Sequence, residues 1–289
     1  MNIKQFIELI RVPSLSATAI PLLLGLAISY KLGSINAAMW IDLFVVALLM
    51  QIATNMANEH GDYIHGVDKR ASYGFAGLIV KGEVSSKEIR NMTIATYTFA
   101  GIFAVPLVLY KGFVILLLGL FALAVSVLYS EGPLPLSKTP FGEIAVGIVM
   151  GFVELVATQI VTYGEVTSLG LVCTLPVALF VASILTGANI RDIKKDKDAG
   201  RKTLAVLLGS QRARTLYYSM MLVAYTSSVA IAVYARYVAI VFVLATIPLA
   251  VVLLSKLNKS NFKYAVKFTS LIYLLFGIAF ALAIITPLY

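Results

Sequence analysis

Thiols, imidazoles and indoles are nearly missing from this sequence, and charge is scarce. The single cysteine, Cys173, lies inside an apolar run, so the chain has no intrachain disulfide and no thiolate metal motif, and Cys173 reads as a packing residue. The two histidines, His60 and His65, stand five apart, which does not match the ligand spacing of a zinc-binding helix; a structural or substrate-contact role fits them better. Charged residues make up only 13% of the chain and hydrophobic residues 60%, whereas an ordinary soluble domain carries roughly 25% charged residues. With a mean hydropathy of +0.92, the chain is an integral membrane protein.

What is abundant is apolar sequence in long runs. Nine stretches, near 14–31, 38–57, 92–110, 112–130, 141–162, 169–189, 215–234, 237–256 and 267–288, are of the length that carries a helix across a bilayer, roughly 17 to 25 residues. A transmembrane barrel would need strands of about 9 to 11 residues in strict alternation, and runs such as 114–127 are continuously apolar instead. The first stretch follows Lys4 and Arg11 like a secretory signal, but its length, Pro21 and the eight runs behind it predict a retained helix. The expectation is an all-α bundle of nine transmembrane helices.

The basic residues are lopsided across these runs. Twenty of the 23 fall on the side that holds the N-terminus and the long connections, against Lys31, Lys111 and Arg236 on the other. Cytoplasmic loops are the ones enriched in Lys and Arg, so the N-terminus is expected in the cytoplasm and the C-terminus outside. The net charge of +9 then reflects topology and contact with anionic headgroups of the lipid bilayer, and gives no reason to invoke nucleic acid.

Acidic residues are concentrated. Of fourteen, eight fall in two polar connections on the cytoplasmic side: Glu59, Asp62, Asp68, Glu83 and Glu88 in one, Asp192, Asp196 and Asp198 in the other. Asn58 and Asp62 are four apart and share a face of any helix. Asp68 lies six beyond Asp62, about 240° round a continuous helix, so it joins them only if the chain turns, which Gly66 permits. Asp192 and Asp196 repeat the four-residue spacing.

Two carboxylates about 4 Å apart repel by about 4 kcal/mol at an effective dielectric near 20, so converging acids call for bound cations or nearby bases. Hard oxygen donors with few nitrogens favour Mg²⁺, which keeps coordination positions open for phosphate oxygens. Lys81, Lys138, Arg191, Arg201 and Lys202 supply charge for the same anion, and a diphosphate substrate is the natural reading. The simpler alternative pairs each acid with a local lysine on a solvated loop; the joint pattern favours the metal.

Glu154 sits near the middle of the fifth run, where charge is costly and marks an interior or functional position. It fits a helix–helix hydrogen bond, a protonated carboxyl, or contact with a polar substrate head. A cation-coupled secondary transporter would place its acids at that depth, and only Glu154 does so. A phospholipid-synthesising transferase would use closely spaced Asp pairs with an Ala-Arg step that this sequence lacks.

The Asn58-x3-Asp62 motif followed by Asp68, and the later Asp192-x3-Asp196 motif, resemble the UbiA superfamily of membrane prenyltransferases. The five residues between Asp62 and Asp68 are most similar to its MenA-type 1,4-dihydroxy-2-naphthoate prenyltransferases; ubiquinone-type enzymes usually have three. The stretches 11–25, 129–136 and 189–204 look like the family's opening, fourth-span exit and second signature. Glu59 stands where Asp is common and His60 where an aromatic is common, which bears on acceptor identity. The resemblance implies one prenyltransferase domain over 1–289, with acidic loops capping a central cavity. It also implies Mg²⁺ held by Asn58, Asp62, Asp68, Asp192 and Asp196, the four aspartates being catalytic. Lys81, Lys138, Arg191, Tyr129, Asn189 and Glu59 would contact substrate. The reaction implied is transfer from polyprenyl diphosphate to an aromatic acceptor, 1,4-dihydroxy-2-naphthoate, with loss of its carboxylate to give demethylmenaquinone. The alternatives are other acceptors of the same superfamily: an ether-lipid glycerol phosphate, 4-hydroxybenzoate or haem.

Overall fold

The structure, a computed structural model, describes residues 1–33, 35–69, 76–234, 241–257 and 262–286. Arg70, Arg236 and Lys259 of the charge count, and parts of the last two expected spans, lie outside the described residues.

Helices follow the apolar runs. A short helix α1 (Ile3–Ile10), closed by a capping box between Asn2 and Gln5, precedes α2 (Ser16–Lys31), α3 (Ala37–Ile64), α4 (Ser86–Lys111) and α5 (Phe113–Ser130). Then come α6 (Gly142–Thr162), α7 (Ser168–Asp198), α8 (Leu204–Tyr234), α9 (Val241–Ser255) and α10 (Phe262–Ile285). Among the described residues, eight helices are long and apolar enough to cross a membrane, and the chain is a multi-pass membrane protein. The segment expected as the eighth of nine spans is the shorter α9, made of Val241–Leu244 and Ile247–Ser255. Pro248 near the start of the second piece has no N–H to return to the preceding turn, so the run breaks there.

The acidic motifs lie on helix where loops are expected. Hydropathy ends the second and sixth spans near 57 and 189, but the helices continue to Ile64 and Asp198. Helical hydrogen bonds are indifferent to side-chain polarity, and residues 58–64 and 190–198 contain no proline. The motifs therefore ride on helical extensions, and only Asp68 stands beyond a helix end.

Hydrocarbon gives helices no hydrophobic reason to associate, so close packing must hold the bundle. α2, α6, α7 and α10 are its centre, with 56–61% of their apolar windows buried, while α4 and α5 at 17% each form a lipid-facing flank. The tightest aromatic knot joins three helices: Phe180 of α7 meets Tyr225 of α8 and Tyr273 and Phe276 of α10 at ring-centroid distances of 5.5, 5.4 and 4.5 Å. Within α6, Gly147–Val153 is a π-helical stretch, a form found mostly as short bulges near functional sites. Here it lies along the wall of a cavity inside the bundle.

Candidate active site

α3 and α7 end in the same construction. After α3, Gly66 takes a left-handed φ of 67°, its N–H bonds the Tyr63 carbonyl at 3.0 Å, and Val67 N–H bonds the Asp62 carbonyl at 2.9 Å. After α7, Gly200 has φ 71°, its N–H bonds the Lys197 carbonyl at 3.1 Å, and Arg201 N–H bonds the Asp196 carbonyl at 2.8 Å. Both are Schellman caps, with glycine at the position that tolerates φ > 0. In each, the second polar residue of the motif supplies the carbonyl that closes the cap. The turn at Gly66 also returns Asp68, whose N–H bonds the Asp62 carbonyl at 3.0 Å. The turn expected from the sequence is present.

The two ends meet through ion pairs. Arg201 bridges them: Nη2 donates to Asp62 Oδ1, and Nη1 donates to Asp196 Oδ1 at 3.2 Å. Lys195 Nζ donates to Asp68 Oδ1 at 2.9 Å. Arg191 grips its neighbour Asp192 through two bonds of 2.7 and 2.6 Å. Asp62, Asp68 and Asp196 are buried, and buried carboxylates stay only where such partners hold them. Burial alone would lower the Arg201 pKa, but Asp62 and Asp196 outweigh it and raise it above the ordinary arginine value. Lys138 shifts the other way, lowered by partial burial and by Arg201, with Asp62 opposing. Two atoms of the cluster, Asp196 Oδ2 and Arg201 Nε, are buried with no hydrogen-bond partner among the described residues.

The cluster stands at the polar mouth of a cavity of about 560 Å³. Asn58, Asp62, Tyr129, Arg191, Asp192 and Arg201 line its mouth, and its walls continue through Val149, Val153 and Glu154 to Leu109 and Leu116. Leu109 is 82% exposed and Leu120, another wall residue, 52%. The wall formed by α4 and α5 thus opens sideways toward lipid.

Of the residues singled out from sequence, Asn58, Asp62, Asp192, Tyr129, Asn189 and Arg191 border the cavity, and Asp68 and Asp196 stand behind them through the ion pairs. Asn189 is oriented by its amide, which donates to Glu143 Oε1 at 2.8 Å. Glu59 and Lys81 face elsewhere. The Glu59 carboxylate accepts the backbone N–H groups of Gly77 and Leu78 at 3.2 and 2.6 Å, and Lys81 Nζ donates to the Ala76 carbonyl at 2.7 Å. Together they pin the segment from 76, whose Leu78 and Ile79 pack against Leu9 and Met56. His60 bonds Glu131 at 2.9 Å, a link between α3 and the end of α5. Lys195, which the sequence presents only as topogenic charge, sits between the aspartates of the second motif, on the helix that carries them.

The donor set of Asn58 and the four aspartates is all oxygen, which suits a hard divalent ion. Asp196 Oδ2 is a buried acceptor without a hydrogen-bond partner among the described residues, which fits such an ion. Among the described residues no three acidic, imidazole or thiol side chains converge closely enough to hold an ion, and the four aspartates are paired with Arg191, Lys195 and Arg201.

Fold and site together define a multi-pass membrane enzyme. Residues 18–268 match the UbiA prenyltransferase family, and the chain belongs to that family; it is a prenyltransferase. It is 34% identical over 218 residues to the 1,4-dihydroxy-2-naphthoate octaprenyltransferase of Bacillus subtilis, covering 75% of this chain and 70% of that one. The enzyme of the same name from Escherichia coli is 24% identical, covering 76% and 73%. The fold is similar to that of a UbiA homolog from Aeropyrum pernix, with a TM-score of 0.67 at 21% identity, covering 93% and 96%. It is also similar to a UbiA homolog from Archaeoglobus fulgidus bound to GPP and Mg²⁺, with a TM-score of 0.66 at 16% identity, covering 96% and 99%.

Proposed function

We propose that this prenyltransferase moves a polyprenyl group from polyprenyl diphosphate to 1,4-dihydroxy-2-naphthoate in a Mg²⁺-dependent reaction that gives demethylmenaquinone. The allylic C–O bond to diphosphate breaks, a bond to the naphthoate ring forms at the carbon that gives up its carboxylate as CO₂, and the product leaves as the hydroquinone, which dissolved oxygen or another two-electron acceptor then oxidises to demethylmenaquinone. The observation that carries this reading is the meeting of oxygen donors from α3 and α7 at the charged mouth of an apolar cavity. The names of the bacterial relatives support the acceptor.

On this reading Asn58, Asp62, Asp68, Asp192 and Asp196 hold the metal. A divalent ion held by these residues would supply positive charge to the departing diphosphate. Arg191 and Lys138 add positive charge beside the same oxygens, where a preorganised, water-poor site makes each charge count for more. Tyr129 offers an aromatic face and Asn189, fixed by Glu143, a polar contact for substrate. The apolar wall takes the chain and keeps water from the allylic cation, and Glu59 and Lys81 hold the segment from 76. The whole of 1–289 acts as one domain. The acid-bearing ends of α3 and α7, and the N-terminus, face the cytoplasm of the cell membrane and the C-terminus faces out, as the bias in basic residues indicates.

The test is to incubate purified protein with Mg²⁺, a polyprenyl diphosphate and dihydroxynaphthoate, following diphosphate release and product mass. Demethylmenaquinone should form with wild type and be lost with chelator or in Asp62→Asn and Asp192→Asn. Turnover that survives those changes overturns the mechanism; turnover only with another acceptor overturns the acceptor.

A further inference from the structure

Among the described residues Arg191, Lys195 and Arg201 pair with four carboxylates in this site, and the same carboxylates are the proposed metal donors. Arg201 and Lys195 differ from Arg191 in reach. Arg191 pairs with its sequence neighbour, whereas Arg201 joins α3 to the end of α7, and Lys195 crosses from α7 to Asp68 beyond α3. Both also border the cavity, so they touch the space where the charged head of a substrate would lie. The side chain of each is only 10–11% exposed. A guanidinium or ammonium that far from water must keep an anionic partner, since an uncompensated buried charge is strongly destabilising.

From this geometry we infer a partner exchange: Lys195 and Arg201 are diphosphate-binding residues that occupy the metal carboxylates until metal and diphosphate arrive together. The exchange rests on the metal reading given under the proposed function. A cation entering alone must displace Arg201 from Asp62 and Asp196 and strand it; a diphosphate entering alone finds the bases committed to aspartates. Entering together, the cation takes the carboxylates and the anion takes the bases, so no buried charge is left without a partner. The two unpartnered atoms fall where this exchange needs them, Asp196 Oδ2 as a further acceptor for the cation and Arg201 Nε as a further donor for the anion. The planar fork of arginine suits both states, because it matches carboxylate and phosphate oxygens alike.

The exchange predicts opposite signs for the two ligands. Binding of Mn²⁺ alone, read by paramagnetic resonance on purified protein in detergent, should tighten about tenfold in Arg201→Gln. Binding of inorganic diphosphate in the presence of Mg²⁺, read by calorimetry, should weaken about tenfold, a coupling of ordinary size. Lys195→Gln should show the same pair of changes, and Arg201→Lys should fall between wild type and Arg201→Gln. Mn²⁺ affinity unchanged or weakened in both Gln variants overturns the exchange, as does diphosphate affinity unchanged in both. Wild type carrying an Mn²⁺ signal that Asp62→Asn abolishes upholds the metal reading whatever the Arg201 variants do. A wild type with no such signal even when inorganic diphosphate is added removes that reading, and the exchange with it.

Discussion

The ends of α3 and α7 are built alike and loaded oppositely. Each carries a motif with polar residues four apart, ends in a glycine of positive φ, and closes its cap on the carbonyl of the motif's second polar residue, Asp62 or Asp196. Beyond the glycine the two part: the α3 end returns an acid, Asp68, and the α7 end a base, Arg201. Each returned residue is tied to the other helix, Arg201 to Asp62 and Asp68 to Lys195. Asp68 stands two residues past its cap glycine and Arg201 one past its own, so matching caps carry opposite charges toward each other and close as a two-sided clasp. The cap fixes where the side chain leaves the helix, and the charge fixes which helix it reaches for.

The equivalence is most severely tested at the closing aspartates. Asp62→Asn and Asp196→Asn keep the backbone cap and remove the charge, so each should cost about 10²–10³-fold in kcat/KM for prenyl transfer, read by diphosphate release. A loss at one position only would mean that the two ends are alike in shape and not in function. Next comes Gly61, where an added Cβ would lie 2.5 Å from the Ser130 carbonyl oxygen. Gly61→Ala should destabilise the α3 end by about 1–3 kcal/mol through overpacking, lowering the thermal midpoint. The α7 end has no counterpart to that contact, because the residue one before Asp196 is Lys195 and not glycine.

Smaller and matched effects are expected at the caps. Gly66→Ala and Gly200→Ala have open space but a left-handed backbone, so each should lose about 1–2 kcal/mol. Asn at the same positions should lose less; unequal Ala penalties in thermal melts would show that the caps carry different loads. The smallest change is Glu59→Gln, which weakens charge-assisted bonds to Gly77 and Leu78. Faster amide exchange at those two residues, with donor KM unchanged, would assign Glu59 to holding the segment from 76 and not to substrate contact.

Legibility in the sequence is uneven for physical reasons. Hydropathy locates helices because lipid demands apolar surface, and eight spans lie where the runs are. It misplaces the ends of α3 and α7 because polar residues such as 190–198 leave the bilayer without leaving the helix. The i, i+4 spacing and the turn at Gly66 are legible, being local geometry. Pairings across 127 and 139 residues, Lys195 with Asp68 and Arg201 with Asp62, are set by how helices pack, and nothing in the spacing of either residue encodes them. Glu59 shows the converse: it lies amid the motif in sequence, yet helical rotation turns its carboxylate to the segment at 76–78.

The sideways opening of the cavity between polar mouth and exposed Leu109 has a kinetic consequence. A polyprenyl chain that enters through that wall is never counted per volume of water. The rate then follows the mole fraction of donor in the bilayer, so diluting the membrane with inert lipid at fixed total donor should slow the enzyme, while diluting the buffer should leave it unchanged.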